Sequence, residues 1–146
     1  WSSDVCSSDL GFYRQKTKSV IESCRTPVAE HGGEVPRTLA ELTRLRGVAR
    51  KTANCVLGHG YGINEGFVVD THVKRLAKKL GLTERTDPVK VERDLMAVFP
   101  QDGWTRISHQ RIDHGRAVCH ARSPECGRCP MAEFCPSREI PTEDRD

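Results

Sequence analysis

The chain has 146 residues, 23 basic and 20 acidic side chains for a formal net charge of +3, and a mean hydropathy of −0.56. That length holds one domain or two small ones sharing an interface, and no apolar run approaches the roughly 20 residues a membrane-spanning helix needs. No secretory leader is legible, so the expected address is cytoplasmic, with no membrane partner; the slight basic excess permits a nucleic-acid partner without demanding one.

Residues 1–10 repeat Ser-Ser-Asp and fit no helical period, so they read as a non-native leader and are set apart from the fold. From Gly11 onward almost every segment reads as a helix, and the fold class is all-α. Residues 13–30 carry Val20, Ile21, Cys24 and Val28 at helical spacing, with Pro27 expected to kink or end the helix early. Cys24 and Cys55 read as small buried hydrophobes. Gly32 and Gly33 close the first helix, and Val35-Pro36 is extended. Thr38-x-x-Glu41 is a capping box for a short helix through Leu39, Leu42 and Leu45. A turn at Gly47 leads to a helix over about 50–58, and the glycines of 58–66 predict a loop.

Asp70 opens the next helix, with Val73, Leu76, Ala77 and Leu80 as its core stripe and Gly81 as its stop. Asp87-Pro88 is an N-cap with proline at the first helical position, and Val91, Leu95 and Val98 form the buried face that follows. A last long helix is expected from Trp104 to about Arg116. The apolar run at 66–69 is too isolated to pair as a strand. Lys74, Arg75, Lys78 and Lys79 decorate one helix and read as a solvated face.

Four of the seven cysteines, Cys119, Cys126, Cys129 and Cys135, form C-x6-C-x2-C-x5-C. In a reducing compartment that density favours metal over disulfides. The C-x2-C pair is a short chelate and the flanking spacers wrap two further sulfurs around one centre. Zinc and a [4Fe–4S] cluster both accept four thiolates, so spacing alone leaves the cofactor open. The other local signal is the helix–glycine–helix turn over residues 42–53. Such a turn aims backbone N–H groups and the positive end of a helix dipole outward, which suits a phosphate oxygen. Val48 is expected to tuck inward as its plug.

In order, Leu45-Arg46-Gly47-Val48-Ala49-Arg50-Lys51-Thr52-Ala53, then Val68-Val69-Asp70-Thr71-His72-Val73, then the cysteine run, resemble the endonuclease III family of base-excision DNA glycosylases. The match runs from Gly11 to about Ile140. The resemblance implies the helix–hairpin–helix DNA glycosylase fold, with part of a helical barrel over residues 11–64 and an iron–sulfur cluster domain over 65–146. It implies Lys51 as nucleophile and Asp70 as the second catalytic group. Gly47, Val48 and Ala49 match the hairpin, with Arg50 beside them, and Arg122 lies in a loop like the family's backbone-touching one. Cys119, Cys126, Cys129 and Cys135 match the ligands of a [4Fe–4S] cluster, and His114-Gly115-Arg116 the run leading into the first of them. His72 reads as structural.

The implied activity is removal of oxidised pyrimidines from DNA, with 3′ cleavage of the abasic site by β-elimination. The implied partner is double-stranded DNA carrying damaged bases or abasic sites, met by a monomer of bacterial, nucleoid-associated type. Partial burial, with Arg50 and the helix start nearby, is expected to activate Lys51. A non-catalytic DNA-binding module, or an inactive fragment of such an enzyme, is the alternative. Arg46 stands where the family usually has proline, and Ala49 replaces a frequent glycine, harmless only where φ is negative. The family also carries helices before the point matching Gly11. The chain is therefore expected to be less stable and less active than an intact relative.

Overall fold

The computed structural model describes residues 12–138; the leader at 1–10, with Cys6, lies outside them. The described residues contain helices and no strand, as the all-α reading requires. They divide into two compact units that meet in sequence at Tyr61 and Gly62.

The first unit holds α1 (Tyr13–Glu30), α2 (Leu39–Leu42) and α3 (Arg50–Tyr61). Pro27 does not end α1. Its own carbonyl accepts from the N–H groups of His31 and Gly33, both at 2.9 Å, so the helix closes just beyond it. Gly32 and Gly33, at φ of 61° and 89°, supply the left-handed backbone that this closure needs. The helical spacing of Val20, Ile21 and Val28 gives α1 an apolar face, but these residues are 57%, 42% and 71% exposed. Cys24 is exposed and Cys55 half-buried, against the expectation that both are core residues. Periodicity identifies a face; it does not supply a neighbour to cover it.

The N-cap half of the capping box forms, the Glu41 N–H donating to Thr38 Oγ1 at 3.2 Å; the Glu41 carboxylate accepts from that same hydroxyl at 2.6 Å. Leu42, Leu45, Ala53 and Leu57 form the unit's core, with Val48 and Tyr61 packed against it. Burial of Leu42 and Leu57 stabilises the helix pair by about 1.5–3 kcal/mol each. α3 runs through Gly58 and Gly60 to Tyr61 rather than ending near 58. Its last turn is anchored from outside, because the Tyr61 hydroxyl donates to the Val35 carbonyl at 2.8 Å. The Arg37 guanidinium stacks 5.0 Å above the Tyr61 ring centroid.

The second unit holds α4 (Thr71–Lys79), α5 (Pro88–Val98) and α6 (Trp104–Ala117), with 3-10 turns at Gln101–Gly103, Cys126–Arg128 and Ala132–Phe134. Val73, Leu76 and Ala77 are buried at the expected spacing, and α4 packs against α5 and α6. Phe67, Val68 and Val69 run buried and extended before α4. The Val68 N–H donates to Ser108 Oγ at 3.0 Å, and that hydroxyl donates to the Trp104 carbonyl at 2.7 Å. A segment without strand partners thereby satisfies a buried donor through one serine. Asp87 caps α5, accepting from the N–H groups of Val89 and Lys90 at 3.1 and 3.0 Å. Val98 is 54% exposed, where the stripe predicted burial. The chain leaves the helix at the next residue, and Phe99 packs on the core instead, 5.9 Å from Phe67 between ring centroids.

Candidate functional site

The glycine turn of the first unit is built on Leu45, whose carbonyl accepts from the Val48 N–H at 3.1 Å. Gly47 sits at φ 78°, and a Cβ there would lie 2.8 Å from Ser19 Cβ on α1. Both backbone and space therefore demand glycine. Val48 is half-buried against the leucine core, as the plug reading required. Among the described residues Phe12 alone, glycines aside, has positive φ, so alanine at 49 carries no backbone strain. Arg46 forms an ion pair with Glu22 of α1 at 2.9 Å. The charge that replaces a proline is thus neutralised within the protein.

α3 then starts at Arg50, with the Ala53 N–H donating to the Ala49 carbonyl at 3.0 Å. The earlier N–H groups of any helix lack intrahelical acceptors and carry the positive end of its dipole. Lys51 is exposed in this first turn, against the expectation of partial burial. Ala53 and Asn54 turn into the core, and Lys51, two residues before Ala53, is carried about 200° away from it.

Asp70, in the second unit, caps α4: its Oδ1 accepts from the Val73 N–H at 2.8 Å. The half-buried carboxylate therefore stands at the positive end of the α4 dipole. Two residues on, His72 Nδ1 lies 3.2 Å from Arg75 Nη2, which also donates to the carbonyls of Gly115 and Cys119 at 3.0 and 2.7 Å. Arg75 is thus a tie between α4 and the first cysteine rather than part of a solvated face. Its partners lie 40 and 44 residues away, a distance no local pattern reports. Gly115 makes the approach possible, since a Cβ there would lie 3.0 Å from His72 Cβ.

Cys119, Cys126, Cys129 and Cys135 are all half-buried free thiols. Burial pushes the Cys119 thiol up; Lys79 and Arg75 pull it down, and the proximity of Cys129 and Cys135 raises it further. Sulfurs that oppose one another's ionisation relieve that conflict by binding a cationic centre. His114 Nε2 lies 3.5 Å from the Cys129 sulfur, and burial first, then Arg111, lower its pKa. A single zinc ion requires neighbouring sulfurs about 3.8 Å apart. Among the described residues, ligand groups drawn in to within 4.8 Å do not include these sulfurs. Four thiolates are a donor set that a [4Fe–4S] cluster accepts. In the loop between Cys119 and Cys126, Arg122 is exposed while His120 Nε2 pairs with Glu125 at 3.1 Å.

Residues 4–101 match the HhH-GPD superfamily base excision DNA repair protein family, and residues 119–135 the iron–sulfur binding domain of endonuclease III. The chain is 55% identical over 129 residues to endonuclease III of Synechocystis sp., covering 88% of this chain and 59% of that protein. It is 41% identical over 127 residues to the Bacillus subtilis enzyme, covering 86% and 58%. Among solved structures, a non-covalent endonuclease III–DNA complex superposes with a TM-score of 0.81 at 38% identity, over 87% of this chain and 59% of that one. A trapped endonuclease III–DNA covalent intermediate does so equally well, with a TM-score of 0.81. The chain therefore spans about three fifths of the length of the relatives it matches. No helix among the described residues is long and apolar enough to cross a membrane.

Proposed function

Because the chain belongs to the HhH-GPD superfamily of base excision DNA repair proteins, we propose that it is a DNA glycosylase with abasic-site lyase activity, Lys51 being its nucleophile. The observation that carries this reading is the turn at Gly47, with its left-handed glycine and Lys51 exposed in the first turn of the following helix. The amides that open α3 grip a backbone phosphate, and Gly47, Val48, Ala49 and Arg50 form that contact. Arg122, exposed in the cysteine loop, makes a second.

The damaged base leaves the stack at a cost of a few kcal/mol. The neutral Lys51 amine bonds to the sugar C1′ as the glycosidic bond breaks, and the base departs with that electron pair. The Asp70 carboxylate stabilises the positive charge that grows on the sugar and accepts the proton the amine sheds. Ring opening gives an imine between Lys51 and C1′. Loss of a C2′ proton then expels the 3′ phosphate and breaks the strand.

Cys119, Cys126, Cys129 and Cys135 would hold a [4Fe–4S] cluster, which when bound supplies the cross-link that orders their loop. The domain division proposed is a barrel part at 11–64 and a cluster part at 65–146. The substrate is proposed as double-stranded DNA carrying oxidised pyrimidines or abasic sites, met by a monomer in the bacterial cytoplasm, at the nucleoid. The test is cleavage of a duplex containing one abasic site by the wild type and by Lys51→Gln. The wild type cuts 3′ to the site and the variant only binds. Equal cutting by both would end the proposal.

A further inference from the structure

A groove of about 500 Å³ runs along the outer side of α4 in the second unit. Five cations line it, Lys74, Arg75, Lys78, Lys79 and Arg85, against Glu84 as the sole acidic lining residue. Arg75 is held by the carbonyls of Gly115 and Cys119. Lys74, Lys78 and Arg85 instead make no side-chain hydrogen bond or ion pair among the described residues. Lys74 is half-buried, its stem packed along the groove wall, while Lys78 is exposed. A solvated helix face would leave its lysines extended and interleave them with acids; this face converges like charges on one concavity.

We propose that this groove binds the phosphodiester backbone of DNA flanking the lesion, without regard to sequence. The proposal rests on the DNA-repair reading above and adds a contact track to it. Three observations favour a nucleic-acid strand over a small free anion. Lys74 and Lys78 lie one helical turn apart, about 6 Å along the axis, a rise of roughly two nucleotides on one strand. Thr71, next in sequence to Asp70, is among the groove's lining residues. The groove reaches Ala121, in the same loop as Arg122. The track therefore joins two regions already assigned to DNA.

The test measures affinity of the full chain for a duplex carrying an uncleavable abasic analogue, as a function of salt. Each backbone contact contributes about 0.9 to the slope of log K against log salt. The combined variant Lys74→Gln/Lys78→Gln/Arg85→Gln is expected to flatten the slope by about 2–3. Its low-salt affinity falls about 10- to 100-fold, equally for unrelated flanking sequences. The charge-keeping variant Lys74→Arg/Lys78→Arg/Arg85→Lys retains the wild-type slope, which excludes misfolding as the cause. A wild type that binds DNA with the same slope as the neutralised variant overturns the groove and leaves the repair reading standing. A wild type with no salt-dependent binding overturns both. Inorganic pyrophosphate is titrated in parallel: its binding lost in the neutralised variant, with the DNA slope unchanged, assigns the groove to a free anion and also overturns the proposal.

Discussion

Replacing Gly47 with alanine tests the turn that the functional reading depends on, and its cost can be worked out in two parts. At φ 78° an L-residue pays about 1–2 kcal/mol for its left-handed backbone. The added Cβ would also lie 2.8 Å from Ser19 Cβ and 3.1 Å from its hydroxyl oxygen. Carbon atoms settle at about 3.5–4.0 Å, so α1 must shift or Ser19 must yield, at about 1–3 kcal/mol. Gly47→Ala is therefore expected to destabilise the chain by about 2–5 kcal/mol in urea unfolding followed by circular dichroism, a large share of the total for a small protein. A double-mutant cycle with Ser19→Gly separates the parts, because that change removes the overlap and leaves the backbone strain. A coupling of about 1 kcal/mol or more is expected, with the remaining 1–2 kcal/mol uncoupled. A cost for Gly47→Ala below about 0.5 kcal/mol, or no coupling to Ser19, would refute the account of this turn.

Other substitutions separate structure from chemistry. Asp70→Asn keeps an oxygen to accept from the Val73 N–H, so stability should change by less than about 0.5 kcal/mol while strand cleavage falls at least about 100-fold. Asp70→Ala should lose the cap as well, about 1 kcal/mol in the same melt. Ser108→Ala strands the buried Val68 N–H and should cost about 1–3 kcal/mol in urea unfolding, with DNA affinity unchanged where the protein is folded. Cys129→Ser should abolish iron–sulfur charge-transfer absorbance in purified protein; unchanged absorbance would remove Cys129 from the ligand set.

Much of this structure was legible because its signals are local. Asp70 and Asp87 each cap a helix through N–H groups within three residues, and Thr38 and Glu41 meet one turn apart. Gly47 announced its turn because only glycine tolerates that φ. Failures arose where a neighbour decides the outcome. The apolar period of α1 is real, yet Val20 and Val28 stay exposed because no packing partner is encoded in a period. Pro27 was expected to break a helix, but two hydrogen bonds to its carbonyl place the helix end just beyond it. Arg75 looked like one more surface cation until Gly115 and Cys119, distant in sequence, supplied its acceptors. The loop expected from 58 became helix because Tyr61 is anchored by Val35, a contact 26 residues long.

Borohydride reduction of the chain on abasic-site DNA tests the central claim most directly, because reduction freezes any imine as a stable amine bond. Digestion and mass spectrometry of the trapped complex should place the DNA remnant on Lys51, and Lys51→Gln should bind the same duplex yet trap nothing. Tight binding by the wild type without a trapped complex, or a remnant on another lysine that persists in Lys51→Gln, would contradict the account.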